Sequence, residues 1–257
     1  MSAAPLALER PVRVFACDID GCLAAVDHVA FDLERLQAIA ELNRASAQDP
    51  TVPALTLVTG RPHAYVDAVM QVLDVRLPAS FENGAGLATR IPYRAWLAAA
   101  VEAGGPAIAA VTAALEARDD VFVQLGKVAS LSVFPNDPAW PVDDLSADLT
   151  ELLERERLAL EVDPSTGCVN LLLPGVDKTS GLRELCAAIG VDPVEVAGIG
   201  DAIGDLAWLR VCGVAFAPAN AVPDVRAAVT VALDLPDVAA TLAAYEALIA
   251  ANRTLLG

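Results

Sequence analysis

The sequence predicts an α/β fold, a Rossmann-like parallel sheet with helices on both faces, carrying an inserted α+β lobe. Three observations predict it. Short apolar runs at 12–17, 54–58 and 194–199 each stop abruptly at small or polar residues, as strands buried on both faces of a parallel sheet do. Helical periodicity follows each of the first two runs, and strand alternating with helix is the mark of a parallel sheet. Between about 84 and 173 the rhythm changes to helix, two strands, helix, two strands, and afterwards the first rhythm resumes. The 257 residues, set against about 150 per domain, allow one to two domains and a sizeable core. The expected division is a core of 1–83 with 174–257 and an inserted lobe of 84–173.

Taken in order, the run 12–17 ends in Asp18, Asp20 and Gly21. A helix follows, with Leu33, Leu36, Ile39 and Leu42 on one stripe and Asp32 as N-cap. The run 54–58 stops at Thr59, Gly60 and Arg61, and Pro62 suits the first turn of a helix bearing Val66, Val69, Met70 and Leu73. In the lobe, a helix is expected within 93–117, bent at 104–106. A hairpin of 121–125 with 128–134 turns at Gly126 and Lys127, a helix covers about 145–157, and a second hairpin pairs 158–162 with 169–173. After Pro174 come a helix over about 178–189 closed by Gly190, the strand 194–199 ending at Gly200 and Asp201, strands near 214–217 and 229–233, and a C-terminal helix.

Composition excludes several functions. Lys and Arg number 17 against 34 Asp and Glu, a formal charge of −17, with 55% hydrophobic residues. So negative a chain repels phosphodiester backbones and anionic lipids, and no Lys/Arg-rich run offers an exception, so nucleic acid and membrane are not expected partners. The five cysteines (Cys17, Cys22, Cys168, Cys186, Cys212) form no CxxC pair and have no histidines nearby, which suggests neither a zinc site nor a disulfide framework. They read as core residues of a reducing cytoplasm. Residues 1–10 lack the basic start and apolar stretch of a signal peptide, and the most membrane-like stretch, 95–115, is broken by Glu102 and by Gly104, Gly105 and Pro106.

Ligands of open parallel sheets bind beyond the carboxyl ends of the strands, where this chain places Asp18 with Asp20, Thr59 with Gly60, and Asp201. Asp18 and Asp20, two apart on an extended segment, face one site together. Neighbouring carboxylates joined by a third are costly without a cation, and oxygen ligands of this kind favour Mg²⁺. A carboxylate is ionised at neutral pH and attacks a phosphoryl group without an activating base. The obstacle is repulsion between anions, about 4 kcal/mol per pair of unit charges at the effective dielectric of a protein surface. Mg²⁺ and one lysine relieve it, and a hydroxyl and backbone N–H groups orient the remaining oxygens. Lys178, Thr59 and the Gly60 amide are the candidates for those roles.

Asp-Ile-Asp-Gly-Cys at 18–22, Val-Thr-Gly-Arg at 58–61, Pro-Gly-Val-Asp-Lys at 174–178 and Gly-Asp-Ala-Ile-Gly-Asp at 200–205 occur in one order along the chain. In this ordered set the sequence resembles the haloacid dehalogenase-like phosphohydrolases. The inserted lobe is similar to a type II, subtype B cap, the kind found in Cof-like, sucrose-phosphate, mannosylphosphoglycerate and archaeal phosphoglycolate phosphatases, and Glu-Asn-Gly-Ala at 82–85 fits the same subgroup. The resemblance implies Asp18 as nucleophile and Mg²⁺ ligand, forming an aspartyl-phosphate. It implies Asp20 as general acid and then base, with its backbone carbonyl on the metal. Thr59 and Gly60 would hold phosphate oxygens, Lys178 would neutralise nucleophile and phosphate, and Asp201 and Asp205 would bind Mg²⁺, the latter directly or through water. Asn83 would meet phosphate or substrate where core joins cap. Two positions depart from the usual pattern: Cys22 stands where threonine is usual, with little change expected, and Gly204 stands where asparagine is more frequent. The lost side-chain hydrogen bond at 204 would loosen Lys178 or Asp205.

Simpler readings compete at each position. Alone, Asp-Xaa-Asp-Gly is more often a turn or a calcium-loop fragment, Asp201 and Asp205 would merely cap a helix, and Thr59 and Lys178 would be routine strand-end and surface residues. His28 and His63 are too few for a histidine-bound metal, and His63 is expected on a solvated helical turn. Lys127 reads equally as solvated or as reaching an anionic substrate group, and Arg61 as holding a core carboxylate or the cap edge. Gly198, Gly200 and Gly204 make GxGxxxG after a strand, but too near the C-terminus for a dinucleotide-binding oxidoreductase. A phosphomutase of the phosphomannomutase type and a receiver-like phospho-acceptor remain as rivals. The expected function is a Mg²⁺-dependent phosphomonoester hydrolase of a small metabolite, a sugar phosphate or phosphoglycolate-like acid, with monomer and homodimer equally open.

Overall fold

The computed structural model describes residues 6–25, 29–165 and 167–257; His28 lies outside them. In chain order the elements are β1 (Val14–Cys17), α1 (Leu33–Ala45), β2 (Ala54–Leu57), α2 (His63–Val72), β3 (Ala79–Phe81), β4 (Gly86–Arg90), β5 (Tyr93–Leu97), α3 (Ala99–Glu116), β6 (Val121–Val123), β7 (Leu131–Pro135), α4 (Val142–Glu156), β8 (Glu161–Ser165), β9 (Cys168–Leu172), α5 (Lys178–Ile189), β10 (Val196–Ile199), α6 (Leu206–Leu209), β11 (Val214–Ala217), α7 (Pro223–Ala228), β12 (Val231–Ala232) and α8 (Asp237–Leu256).

Five strands form one sheet in the order β12-β11-β10-β1-β2, with every pairing parallel. Alternation along β1 shows why it is central. Phe15 and Cys17 point into one apolar cluster with residues of α1, α2 and α8, while Val14 and Ala16 point into another with residues of α5, α6 and α7. The ends of α5 follow its sequence. Asp177 caps it by accepting from the Ser180 amide at 2.6 Å, and Gly190 closes it in the left-handed conformation.

The antiparallel sheet β6-β7-β9-β8 covers a third cluster with α3 and α4. Its heptad-like stripe, Leu145, Leu149, Leu152 and Leu153, buries one face of α4 against Leu131, Val133, Val169 and Leu171 of the sheet. α3 runs on as one helix through Gly104, Gly105 and Pro106.

The helix expected within 93–117 is found as Ala99–Glu116, and two local expectations are corrected. The lobe opens with strands rather than a helix, 93–97 being a strand paired with β4. β3, β4 and β5 form a small antiparallel sheet, joined to the end of β2 by a bridge between Val58 and Ser80. Tyr93 is 64% exposed, so β5 is held by its ladder to β4 and shows little of the apolar alternation that would reveal it. The second hairpin starts later than expected, with Glu161–Ser165 against Cys168–Leu172. All five cysteines are free thiols.

Candidate active site

β1, β2 and β10 lie side by side in register, Cys17 opposite both Leu57 and Ile199, so the residues that follow them meet at one end of the sheet. The order reverses between β1 and β10, the switch point where such sheets open a crevice. Asp18 leaves β1 with its amide still bonded to the Ile199 carbonyl, 3.0 Å. Its Oδ1 accepts from the Ile19 amide at 2.7 Å and its Oδ2 from Lys178 Nζ at 2.7 Å.

Lys178 opens α5, an unfavourable place for a cation because the helix N-terminus is itself positive. Two carboxylates outweigh that cost: the same Nζ donates to Asp205 Oδ1 at 2.6 Å. Asp205 also accepts from the Trp208 indole N–H at 2.8 Å and, through Oδ2, from the amides of Asp201 and Ala202, each at 3.0 Å. Four donors match the lone pairs that a carboxylate offers. Asp205 is therefore firmly oriented even with Gly204 beside it, and Trp208 supplies a side-chain donor that the expectation of a loosened site did not include. A fully buried indole needs a partner for its N–H, and three residues along a helical turn Asp205 is within reach.

Asp18, Asp201 and Asp205 each place a carboxylate oxygen within 4.8 Å of the others. Burial pushes the Asp18 carboxyl up to about 7, against the pull of Lys178. It pushes Asp201 up to about 8, with Asp18 and Asp205 adding repulsion. Although burial works against its charge, Asp18 and Asp205 hold Lys178 well above the usual lysine range. Close approach of these segments rests on Gly21, where φ is +69° and a Cβ would stand 2.1 Å from Asp201 Oδ2. Hard oxygen donors this close, with the Asp201 carboxylate accepting no hydrogen bond among the described residues, fit a divalent cation such as Mg²⁺.

Asp20 lies beside this group but outside it. Its carboxylate is held by Arg61 through two bonds, Nε to Oδ2 at 2.7 Å and Nη2 to Oδ1 at 2.5 Å. With Asp20 counted, four carboxylates face one ammonium and one guanidinium, an excess of two negative charges when all four are ionised, which a dication would balance.

Opposite them, Thr59 is fully buried, and its hydroxyl accepts from the Arg61 amide at 3.2 Å. Gly60 and Asn83 face the opening, and a Cβ on Gly60 would come within 2.8 Å of Asn83 Oδ1. Asn83 sits in the left-handed region, φ 56°, between Glu82 and Gly84 in the same region. The Asn83 side-chain Nδ2 is buried with no partner. His63 is half-buried rather than solvated: its ring packs edge-on to Phe81 at 5.2 Å.

A cavity of about 220 Å³ opens above these residues, lined on the core side by Asp18, Asp20, Gly60, Arg61, Asn83, Lys178 and Asp201. Thr59 and Asp205 stand behind its wall. The antiparallel sheet lines the other side with Gln124, Lys127, Ser132 and Asn170. Of these, sequence reasoning singled out Lys127 alone.

A family model for haloacid dehalogenase-like hydrolases matches residues 142–239. A haloacid dehalogenase-like hydrolase from Bacteroides thetaiotaomicron shares the fold at a TM-score of 0.72 and 16% identity, over 91% of this chain and 98% of that one. Over residues 142–239 the chain is thus similar to the haloacid dehalogenase-like hydrolases, and its fold is theirs. Among its relatives, a phosphoglycolate phosphatase of Methanococcoides burtonii is 25% identical over 215 residues, 83% of this chain and 86% of that enzyme. A phosphoglycolate phosphatase of Methanopyrus kandleri is 42% identical over 59 residues, a match spanning 23% of this chain and only 25% of that enzyme. No helix among the described residues is long and apolar enough to cross a membrane.

Proposed function

We propose that this haloacid dehalogenase-like hydrolase is a Mg²⁺-dependent phosphatase of small phosphorylated metabolites. The observation that carries the reading is the ammonium of Lys178 clamped between Asp18 and Asp205 at the strand ends, within a cluster of carboxylates that is two negative charges in excess. Asp18 and Asp201 would hold the ion, with the Asp20 carbonyl and with Asp205, whose lone pairs its four donors take up, through water; when bound it would supply charge neutralisation and Lewis acidity to the phosphate. The names of the archaeal relatives favour the same activity.

In this reading Asp18 attacks phosphorus and the ester bond breaks, giving an aspartyl-phosphate and an alcohol that takes its proton from Asp20. Asp20 then removes a proton from water, whose oxygen attacks phosphorus, releasing inorganic phosphate and restoring Asp18. Asp20 must leave Arg61 to do either, so an incoming anion that draws Arg61 away also frees the acid. Lys178 keeps one oxygen of Asp18 paired and screens the nucleophile from the phosphate it approaches. The unpartnered Asn83 Nδ2 and the Gly60 amide fit the oxygens of the phosphoryl group, with the Thr59 hydroxyl behind them as a further donor.

The segment 84–173 acts as the cap over a core of 1–83 with 174–257, its strands β4 and β5 resting on the core and its antiparallel sheet closing the cavity. The chain works in the cytoplasm. A panel of phosphorylated metabolites, assayed with Mg²⁺ for released phosphate, tests the reading. Release from small phosphomonoesters is expected, and interconversion of sugar 1- and 6-phosphates without release would make the protein a mutase instead.

A further inference from the structure

The cap side of the cavity holds a cation that makes no ion pair with a carboxylate among the described residues. Lys127 is half-buried beside the Gly126 turn, and its Nζ donates to Ser132 Oγ at 2.6 Å. Ser132 donates in turn to Asn170 Oδ1 at 2.6 Å, and Asn170 Nδ2 donates to Asp163 Oδ2 at 3.2 Å. The register of the sheet makes this chain. Ser132 of β7 stands opposite Asn170 of β9, which stands opposite Asp163 of β8, so all three project from one face.

The carboxylates around Lys127 are otherwise engaged. Glu82, fully buried, accepts from the amides of Val128, Ala129 and Ser130 at 2.8 to 3.1 Å. Asp20 is held by Arg61 and Asp163 by Asn170. Among the described residues none of them comes within 4 Å of the ammonium, which has three hydrogens and gives one to Ser132. A desolvated ammonium with no carboxylate in contact is costly, and a neutral sugar hydroxyl would leave it so. One lysine balances one negative charge, which is a carboxylate rather than a second phosphate dianion. The volume agrees: about 220 Å³ is below the roughly 300–1,000 Å³ of pockets for larger ligands.

Resting on the phosphatase reading, we infer that the cap wall is a carboxylate subsite, in which Lys127, braced by Ser132 and by the turn bound to Glu82, takes the acid group of a small phosphorylated acid. Glu82 is a positioning residue here, since it acts on the segment that carries Lys127.

The test compares phosphoglycolate with 2-hydroxyethyl phosphate, which replaces the carboxylate by a neutral hydroxymethyl group. The wild type is expected to favour phosphoglycolate in kcat/KM, and Lys127→Met to lower that preference by roughly 10- to 100-fold, the span of a hydrogen bond to a charged group. Lys127→Arg, which keeps the charge, is expected to retain most of it. Calorimetry of the wild type supplies a readout independent of turnover and of any variant's folding: phosphonoacetate is expected to bind more tightly than ethylphosphonate. Equal binding of the two phosphonates, or a preference unchanged in a folded Lys127→Met, overturns the subsite and leaves the phosphatase standing. Absence of hydrolysis of any phosphomonoester, with phosphonoacetate still preferred, overturns the phosphatase and leaves the subsite.

Discussion

The two walls of the cavity are built differently. On the core side, charged groups from four segments distant in sequence are fixed by strand ends of a parallel sheet and bound to one another: Asp18 to Lys178, Lys178 to Asp205, Asp20 to Arg61. On the cap side one ammonium, one hydroxyl and one amide follow each other across the pleats of an antiparallel sheet. The core wall is a balance of strong charges that any phosphate ester would use. The cap wall is a sparse arrangement suited to telling one ester from another.

Removal of the proposed nucleophile separates the walls most sharply. Asp18→Asn is expected to cut phosphate release by roughly 10³-fold or more, the scale for groups that act as a unit. It should leave the melting temperature equal or higher, since a buried carboxyl pushed up to about 7 is relieved of its charge. Undiminished release would remove Asp18 from the chemistry. Chelation of divalent ions comes next: turnover is expected to vanish and return with Mg²⁺. Saturating Mg²⁺ should add about 2.7 kcal/mol of stability at a hundredfold excess over Kd, several degrees in Tm. A melting curve indifferent to Mg²⁺ would argue against the carboxylate cluster as its site.

A smaller effect is expected from Trp208→Phe. It removes one of four donors to Asp205 and should slow turnover about tenfold, close to ~1.4 kcal/mol for a hydrogen bond to a charged group, with KM little changed. Equal loss for phosphoglycolate and 2-hydroxyethyl phosphate would mark it as a core-wall effect.

The smallest is a pH dependence confined to the cap wall. Burial brings Lys127 down to about 8 from the ordinary 10.5, despite Glu82, Cys168 and Asp20, with Arg61 lowering it further and Asp163 also near. Its charge is thus disfavoured in the fold. The cost to stability is full below pH 8 and fades between pH 8 and 10.5, where the folded form alone sheds the proton. A grip on a carboxylate runs the other way, full below pH 8 and lost above it. The ratio of kcat/KM for phosphoglycolate over 2-hydroxyethyl phosphate should fall by up to about tenfold by one unit above that pKa. Lys127→Met should show no such limb.

The same contrast decides what could be read from the chain itself. Asp18, Gly60, Asp201 and Lys178 sit where apolar runs stop or a helix begins, so their place beside one another follows from a parallel sheet. The antiparallel face cannot be read that way. Ser132 and Asn170 meet only because β7 and β9 pair in one register, and a shift by one residue would turn both away from the cavity. β5 escaped notice because its exposed face lacks apolar alternation. Trp208 escaped because nothing before the fold was known asked where its N–H would go.

Glu82 and Asn83 are neighbours, yet they serve opposite ends of the cavity: the carboxylate of one ties down the loop bearing Lys127, and the amide of the other faces Gly60. A single dipeptide, with both residues in the left-handed region, therefore works as a ruler. It measures the length of molecule that can touch both walls at once, so residues 82 and 83 are where selection for a shorter or longer ligand would act.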